Sequence, residues 1–316
     1  MTEALLDLTI IIPSYNTRDL LRNCLESIYR HTMGITFEVI CLDDNSPDQS
    51  ADMVAEEFPE VTLIRNKVNQ FYAKNNNLGM RMSRARYACL LNSDTMLVGN
   101  AFQALIRFME DHPEVATCGP KLLNPDLTVQ HCIRRFAGPG TFVLQAINWH
   151  KVFPRSGVMK RYYATDFDYS KPQPVESIGT TAYIIRRSTW EKAGMLDERF
   201  RLALVDLSYN YMLNRKGYEV YYVPSAELVH FGGQSINQNT LSSLRDQRQA
   251  LIDFSEYYDY FGKGRLVKLL VRFAVLGRYC LKVAEYYLSS DKRLIKGPGA
   301  PSKKQAAKAA LIQDPE

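Results

Sequence analysis

The stretch Ile10–Asn16 reads Ile-Ile-Ile-Pro-Ser-Tyr-Asn, an apolar run that ends in polar, turn-forming residues. The same arrangement recurs twice, because apolar Phe37–Leu42 leads into Asp43–Ser46 and apolar Tyr87–Leu91 leads into Asn92–Asp94. Helical periodicity fills the intervals between these runs, and alternating strands and helices are typical of a mostly parallel α/β sheet. Ligands bind beyond the carboxyl ends of such strands, so the three polar clusters predict one binding crevice.

Further along the chain the elements are shorter. The pattern predicts one strand over Val175–Arg186 and a helix over Asp206–Arg215. It also predicts two strands, Glu219–Val223 and Glu227–His230, separated by a turn at Pro224. No G-x-G-x-x-G follows the first strand, and no G-x-x-x-x-G-K-[ST] occurs, so glycine cradles for dinucleotides and ATP are missing. We therefore expect side chains to hold the ligand.

Composition and charge narrow the class of protein. The chain has 316 residues, 46% of them apolar and 23% charged, which is enough to fill a substantial core. A net charge of +5 fits an anionic substrate or an anionic membrane surface, and we expect no nucleic-acid partner. The six cysteines show no C-x-x-C or zinc spacing and predict buried free thiols. Residues 1–8 lack a basic segment, so we expect no signal peptide and a cytoplasmic location.

Several short segments follow the order and spacing of a known family. They are Ile10–Asn16, Asp43–Ser46, Leu90–Asp94, Gly179–Ala182, Gly194–Phe200 and Val229–Ser235. On these segments the chain resembles the family-two glycosyltransferases, and within them the rhamnosyltransferase-like branch. The resemblance covers roughly residues 8–236. It implies a GT-A fold, with a central, mostly parallel sheet flanked by helices.

The resemblance also implies a division of the chain. Residues 1–120 would bind the nucleotide-sugar, and residues 121–236 would bind the acceptor as the second half of the same domain. Residues 237–296 would form C-terminal helices, and residues 297–316 would be a flexible tail.

The residues implied on the donor side lie in the first two polar clusters. Pro13 and Tyr15 match residues that lie against the nucleobase, and a tyrosine can stack on a pyrimidine. Asp44 matches the residue that accepts the N–H of the base ring, and Asp43 matches its support. The structural alternative is that both acids only fix the turn through hydrogen bonds to their own backbone.

A second donor-side segment is less well matched. Asn76 and Asn77 match paired asparagines near the donor, but Phe71 stands where the family commonly has glycine. A plain helix N-terminus is the alternative interpretation of this segment. Asn92 takes the place of the first acid of the family's metal-binding pattern, and it would bind ribose without contributing charge.

The metal site implied by the resemblance uses Asp94 and His230. Asp94 would ligate Mn²⁺ or Mg²⁺ through oxygen, and His230 would supply nitrogen to the same ion or bond the diphosphate. The alternatives are that Asp94 caps the following turn and that His230 is structural.

The catalytic base of this branch lies in a Glu-Asp pair that opens a helix, and Val205-Asp206 matches that pair. Asp206 would therefore be the base, while Val205 and Ser208 replace two acids. Because like charges raise the pKa of a carboxyl group, we expect Asp206 to be less basic than its counterparts. The alternative is that Asp206 only caps its helix.

Together these residues predict an inverting enzyme. It would move a sugar from dTDP-rhamnose, or otherwise a UDP-sugar, to a hydroxyl of a glycan or polyprenyl-linked acceptor. The stretch Gly119–Phe136 resembles the rhamnosyltransferase-like branch and favours the first donor. The alternative is a catalytically weak or inactive nucleotide-sugar-binding or glycan-binding protein of the same fold, which the acids missing at positions 92, 205 and 208 favour.

The segment Arg265–Leu288 predicts a basic amphipathic helix that is too polar to span a membrane. Five cationic residues share one broad side of its helical wheel: Arg265, Lys268, Arg272, Arg278 and Lys282. We expect this helix to attach the enzyme reversibly to the anionic inner face of the cell membrane. The alternative is that its apolar side packs on the catalytic domain or on a second copy of the chain.

Overall fold

Helices cover both faces of a mixed β-sheet in the structure, a computed structural model that describes residues 5–138, 141, 157–232 and 240–288. The strands are β1 (Leu6–Ser14), β2 (Phe37–Asp43), β3 (Thr62–Arg65), β4 (Ala85–Leu91), β5 (Thr95–Leu97), β6 (Val115–Leu123), β7 (Ile133–Arg134), β8 (Gln173–Pro174), β9 (Ser177–Ile178), β10 (Ala182–Arg186) and β11 (Glu219–His230). The helices are α1 (Arg18–His31), α2 (Ser50–Glu57), α3 (Phe71–Met82), α4 (Ala101–Asp111), α5 (Gly157–Tyr162), α6 (Arg187–Ala193), α7 (Val205–Arg215), α8 (Thr240–Tyr257) and α9 (Arg265–Leu288).

The main sheet has the order β3-β2-β1-β4-β10-β6-β11-β5, and β8 pairs with β11. Strand β1 pairs in parallel with both β2 and β4, whereas β10 is antiparallel to β4 and β6. Ser14 lies opposite Asp43, and Ile11 lies opposite Leu90. The polar segments after β1, β2 and β4 therefore leave the same edge of the sheet, as predicted. The expected mostly parallel α/β architecture is confirmed.

Strand β1 contributes to the core on both faces of the sheet. Ile10 and Ile12 are buried in the cluster that includes Phe102 of α4, whereas Ile11 faces the opposite cluster, as period-two alternation requires. Helix α3 lies directly on that side. A Cβ added to Gly79 would come within 2.4 Å of Ile11 Cγ2, so glycine lets this helix approach the strand closely. Close packing here holds α3 at the edge where the polar segments emerge.

Two predicted strand boundaries were wrong. The predicted strand Val175–Arg186 is split, because β9 pairs with β7 while β10 joins the main sheet, and Gly179–Thr181 forms the connection. The two strands predicted on either side of Pro224 form one strand, β11. Its register against β6 shifts between Val223 and Glu227, so the proline sits in a bulge rather than a turn.

The six cysteines are free thiols, as predicted. Four are buried, Cys132 is partly buried and Cys280 is exposed, so the burial prediction is wrong for Cys280 alone. Burial raises the pKa of Cys24 to about 12, which leaves this thiol protonated and unreactive near neutral pH.

Helix α9 packs on α8 through a valine stripe rather than through its leucines. Val271 and Val275 are buried against Leu251 and Ile252 of α8. Eight large apolar side chains of α9 are instead exposed: Leu266, Leu269, Leu270, Phe273, Leu276, Leu281, Tyr287 and Leu288. In the part of the chain that the structure describes, no helix is long and apolar enough to cross a membrane.

The predicted cationic side of α9 is only partly free. Lys268 forms an ion pair with Asp259 at 2.6 Å, and Arg272 pairs with Glu256. The Lys282 side chain is only 15% exposed. The predicted set of five solvent-facing cations is therefore wrong, because the helix packs on α8 along an axis that the helical wheel does not specify.

Candidate active site

One cavity of about 290 Å³ opens beyond the carboxyl ends of β1 and β4, where the sequence predicts the binding crevice. Six of the ten predicted site residues line it: Pro13, Tyr15, Asp44, Asn92, Asp94 and Asp206. They come from four separated parts of the chain, which only the sheet topology brings together.

Asp44 is buried and lines the cavity. Its Oδ1 accepts hydrogen bonds from Gln70 N at 2.6 Å and from Asn66 Nδ2 at 3.1 Å, and its Oδ2 accepts one from Phe71 N at 2.9 Å. Phe71 has φ of +65°, a left-handed conformation that favours glycine. This conformation explains physically why glycine suits the position. Asp44 therefore holds the start of α3 as well as facing the cavity.

Asp43 lies behind the cavity rather than in its wall. Its Oδ2 accepts a hydrogen bond from Ser46 N at 3.1 Å, which fixes the turn after β2. Burial raises the pKa of this carboxyl group above its ordinary value. These contacts place Asp43 in the turn after β2, and it does not line the cavity.

The predicted asparagine pair does not reach the cavity. Asn76 donates from Nδ2 to Tyr72 O at 2.9 Å within α3. Asn77 donates to Leu196 O at 2.8 Å and accepts from Leu196 N at 3.0 Å, which ties α3 to the segment before α7. Both asparagines are buried. The amide of Asn77 is satisfied within the fold, whereas Asn76 Oδ1 makes no hydrogen bond to a described residue. Direct donor contact by Asn76 and Asn77 does not fit these positions.

The segment after β4 is fixed by backbone and hydroxyl bonds. Asn92 N donates to Thr181 O at 2.8 Å, and Ser93 Oγ lies 2.8 Å from Thr17 Oγ1. Thr17 Oγ1 also lies 3.0 Å from Ser14 Oγ, so a chain of hydroxyls joins the ends of β1 and β4. Asp94 follows this hydrogen-bonded segment directly and lines the cavity.

Asp94 and His230 lie close together, although they are far apart in the sequence. Strand β5 pairs with the end of β11, and this pairing brings His230 Nε2 within 3.3 Å of Asp94 Oδ1. His230 Nδ1 lies 2.7 Å from Gln130 Oε1. The Gln130 amide donates through its nitrogen to Asn124 Oδ1 at 3.0 Å and to His230 O at 3.3 Å, so its oxygen faces the imidazole.

This arrangement fits a divalent cation. With Nδ1–H donating to Gln130, the Nε2 lone pair points toward the Asp94 carboxylate, so two basic atoms face each other. Nε2 is buried and makes no hydrogen bond to any described residue. No group of three or more His, Cys, Asp or Glu side chains gathers in the described ranges. Two protein ligands plus substrate phosphate oxygens is a common arrangement for Mg²⁺ and Mn²⁺.

Asp206 occupies the first turn of α7 and faces the cavity. Its Oδ1 accepts a hydrogen bond from Leu207 N at 2.8 Å, and Leu204, rather than Asp206, occupies the N-cap position. Burial raises the pKa of Asp206 above its ordinary value. Desolvation therefore acts opposite to the weak basicity expected from the missing acids, because it disfavours the charged carboxylate.

Several cavity residues were missed from the sequence. Tyr72 donates its hydroxyl to Thr180 O at 2.6 Å, and both residues line the cavity with Ser242 and Ser243 of α8. Gln130 lies within Gly119–Phe136, which resembles the rhamnosyltransferase-like branch, but no local sequence pattern indicates that it orients His230. The motif residues 233–235 lie outside the described residues.

The comparison with family models decides the family. The model described as Glycosyl transferase family 2 matches residues 9–188, more than half of the chain. The chain belongs to glycosyltransferase family 2. The prediction of a glycosyltransferase with a GT-A fold is thereby confirmed.

Named relatives agree at low identity. The chain is 26% identical over 225 residues to the O-antigen biosynthesis protein RfbC of Myxococcus xanthus, across 70% of this chain and 17% of that protein. It is 24% identical over 217 residues to the N-acetylglucosaminyl-diphospho-decaprenol L-rhamnosyltransferase of Mycobacterium tuberculosis H37Rv, across 65% of this chain and 70% of that protein.

A solved structure supports the fold of this glycosyltransferase. GalNAc-T7 with UDP, GalNAc and Mn²⁺ superposes with a TM-score of 0.56 at 13% identity, over 91% of this chain and 58% of that one. The chain thus spans 58% of the length of that structure and 17% of the length of the myxococcal relative.

Proposed function

We propose that this glycosyltransferase inverts the anomeric centre as it transfers a sugar from a pyrimidine nucleoside-diphosphate donor. The first candidate donor is dTDP-rhamnose and the second is a UDP-sugar. The proposed acceptor is a hydroxyl of a polyprenyl-linked or surface glycan, the class named in the mycobacterial relative. The observation that carries this proposal is that Asp206 and Asp94 line the same cavity, so a base and a leaving-group site share one space.

Asp206 would perform the acid–base step. Its carboxylate accepts the proton of the acceptor hydroxyl while the hydroxyl oxygen attacks the anomeric carbon. The bond to the nucleoside diphosphate breaks on the opposite face, which inverts the configuration. A raised pKa makes this carboxylate a stronger base than an exposed aspartate once it is ionised.

Asp94 and His230 would hold the leaving-group end of the site. A bound Mn²⁺ or Mg²⁺ would supply charge neutralisation for the departing diphosphate. Gln130 would keep the His230 ring in the orientation that presents Nε2. Tyr15 and Asp44 would bind the nucleobase at the other end of the cavity. Tyr15 would stack on its ring, and the Asp44 carboxylate would accept a hydrogen bond from its ring N–H.

The alternative is a binding protein of the same fold, favoured by the acids missing at positions 92, 205 and 208. A thermal-shift screen with Mn²⁺ tests the donor class, since a ligand at 100 times its Kd stabilises a protein by about 2.7 kcal/mol. We expect dTDP- and UDP-sugars to raise the melting temperature more than GDP-sugars. A stronger effect of GDP-sugars would contradict the pyrimidine assignment.

Asp44→Asn is expected to weaken nucleoside-diphosphate binding and to destabilise the fold. The carboxylate accepts three hydrogen bonds through both oxygens, and an amide nitrogen cannot accept. Each lost charged hydrogen bond typically costs about 1.5–3 kcal/mol. Calorimetry with dTDP and UDP measures the first effect, and urea unfolding measures the second.

Asp48→Asn is the matched control for this variant. Asp48 accepts hydrogen bonds from Arg18 N at 2.9 Å and Ser50 N at 3.1 Å but does not line the cavity. It should lose stability with unchanged nucleotide affinity. If both variants lost stability equally and neither lost affinity, Asp44 would have only a structural role.

We further propose that the exposed apolar face of α9 contacts an anionic membrane, which suits a lipid-linked acceptor. The exposed leucines and Phe273 would be buried in the membrane, and Arg265 flanks them. Because Lys268 and Arg272 are already paired, we expect only a modest salt effect. Phe273→Glu should reduce co-sedimentation with phosphatidylglycerol vesicles at least tenfold, since it places a charge in the apolar face.

Gln249→Glu on the exposed side of α8 adds the same charge away from this face and should leave vesicle binding unchanged. The competing occupant is a second copy of the chain. In that case Phe273→Glu would convert a dimer to a monomer in sedimentation analysis, and vesicle binding would not change.

A further inference from the structure

A second cavity of about 330 Å³ lies beside the first and is used by none of the steps above. Its walls come from α5, the start of α7, the middle of α8 and one face of α9. Most of its lining is aromatic or aliphatic, and the residues that matter here are Tyr162, Ala203, Leu207, Phe254, Phe261 and Arg278. Volumes of this order are typical of small-molecule sites.

Arg278 is the cation of this cavity. It lies on the side of α9 that faces the protein, and burial lowers the pKa of its guanidinium. Tyr162 and Tyr163 lie near its guanidinium, and no carboxylate of the described residues forms an ion pair with it. The other basic residues of α9 that pair do so with acids at the surface. A guanidinium held in a mostly apolar cavity without a counter-ion favours an anionic ligand.

The second cavity lies next to Asp206, the proposed catalytic base. Val205 and Asp206 line the first cavity, while the residues on either side of them, Leu204 and Leu207, line the second. The first turn of α7 is therefore a shared wall. Leu204 has φ of +61°, and this left-handed conformation turns the chain sharply between the two cavities. A ligand in the second cavity lies next to the proposed base but outside the donor site.

We propose that this second cavity holds the phosphate-bearing, prenyl end of the acceptor, with Arg278 against the phosphate and the aromatic and aliphatic lining against the first isoprene units. The proposal rests on the proposed function in one respect, namely that the acceptor is lipid-linked. A bare sugar or inorganic phosphate would leave the apolar lining unfilled, whereas a neutral lipid would leave Arg278 without an anion.

The test is direct binding of farnesyl diphosphate to the full chain, measured by calorimetry with the donor cavity saturated by dTDP and Mg²⁺. Farnesol and pyrophosphate are the two half-ligands, and dihexanoyl phosphatidylglycerol represents ordinary phospholipid. We expect farnesyl diphosphate to bind in the presence of dTDP and to bind more tightly than each of the other three. Competition with dTDP, or equal binding of the phospholipid, would overturn the proposal.

Four variants locate the site. Arg278→Gln should weaken farnesyl diphosphate about tenfold to a hundredfold, the loss expected for a charged hydrogen bond, and Arg278→Lys should retain part of the affinity. Ala203→Phe should block the cavity without changing its charge, which covers the case in which Arg278→Gln folds poorly. Arg272→Gln is the control, because Arg272 pairs with Glu256 on the same helix outside the cavity. Unchanged affinity in Arg278→Gln and Ala203→Phe would refute the assignment.

The outcome separates this proposal from the proposed function. Nucleoside diphosphate release from the donor tests catalysis and does not need the second cavity. If release occurs but farnesyl diphosphate does not bind, the second-cavity assignment fails and the glycosyl-transfer assignment stands. If farnesyl diphosphate binds through Arg278 but no donor is turned over, the cavity assignment stands and catalysis fails.

Discussion

Asp206→Asn is expected to lower turnover by about 10²–10⁴-fold, the usual size of a general-base contribution. Asn keeps the shape of the side chain, and its oxygen can still accept the hydrogen bond from Leu207 N, so the helix start should survive. It cannot accept the acceptor proton. Donor affinity should be unchanged, because the donor is bound by other residues. Single-turnover transfer and calorimetry with dTDP measure the two quantities separately.

Asp197→Asn is the matched control for this substitution. Asp197 accepts hydrogen bonds from Arg199 and lies in a different surface pocket from Asp206. The control should transfer sugar at the wild-type rate. An Asp206→Asn enzyme within a few-fold of wild type would exclude Asp206 as the base.

The pH dependence of the free energy of unfolding tests the raised pKa of Asp206 without an activity assay. Burial raises its pKa in the folded state, so its contribution to stability is present in full below the unfolded pKa of about 3.9 and is lost as the pH rises through the folded pKa. At pH 7 the buried, ionised carboxylate lowers the free energy of unfolding, and Asn removes its charge. The free energy of unfolding of Asp206→Asn should therefore equal or exceed that of wild type at pH 7, and the gain should vanish below about pH 4.

Asp94→Asn and His230→Gln are expected to lower turnover by about a hundredfold or more and to raise the Mn²⁺ concentration needed for half-maximal activity. Each substitution weakens one of the two groups that face each other at 3.3 Å. Gln130→Leu leaves both groups in place but removes the acceptor that orients the imidazole, so metal affinity should fall about 10–100-fold.

Mn²⁺ binding in the presence of dTDP can be followed by electron paramagnetic resonance, which does not depend on turnover. His112→Gln is the control, because His112 packs on Phe108 and Tyr221 away from the cavity. Wild-type Mn²⁺ affinity in Asp94→Asn would rule out the metal assignment.

The sequence predicts the edge of the sheet where the site lies because strand order alone fixes it. Three strands that end in polar residues must open on one edge when they are parallel neighbours, as β2, β1 and β4 are. The role of each polar residue is harder to predict. The resemblance places both Asn77 and Asp44 at the donor, yet Asn77 bonds the backbone of Leu196 while Asp44 lines the cavity. Motif position does not report which way a buried side chain points.

Long-range contacts explain the remaining differences between the predicted and the observed elements. The bulge at Pro224 forms because β11 continues along β6 on both sides of it, a constraint that no local window contains. Helix α9 carries two apolar stripes, and only packing on α8 selects Val271 and Val275 for burial. Because α9 packs on α8 in this orientation, Arg278 lines the second cavity. The helical wheel places it instead with the surface cations.

The most direct test of glycosyl transfer at this site is release of nucleoside diphosphate from dTDP-rhamnose and UDP-sugars by the purified chain with Mn²⁺, followed with a coupled assay. The expected result is metal-dependent release that chelation abolishes, that a polyprenyl-linked acceptor accelerates, and that Asp94→Asn suppresses. Tight binding of the donor without any release, at every metal and acceptor tried, would contradict it and favour a binding protein.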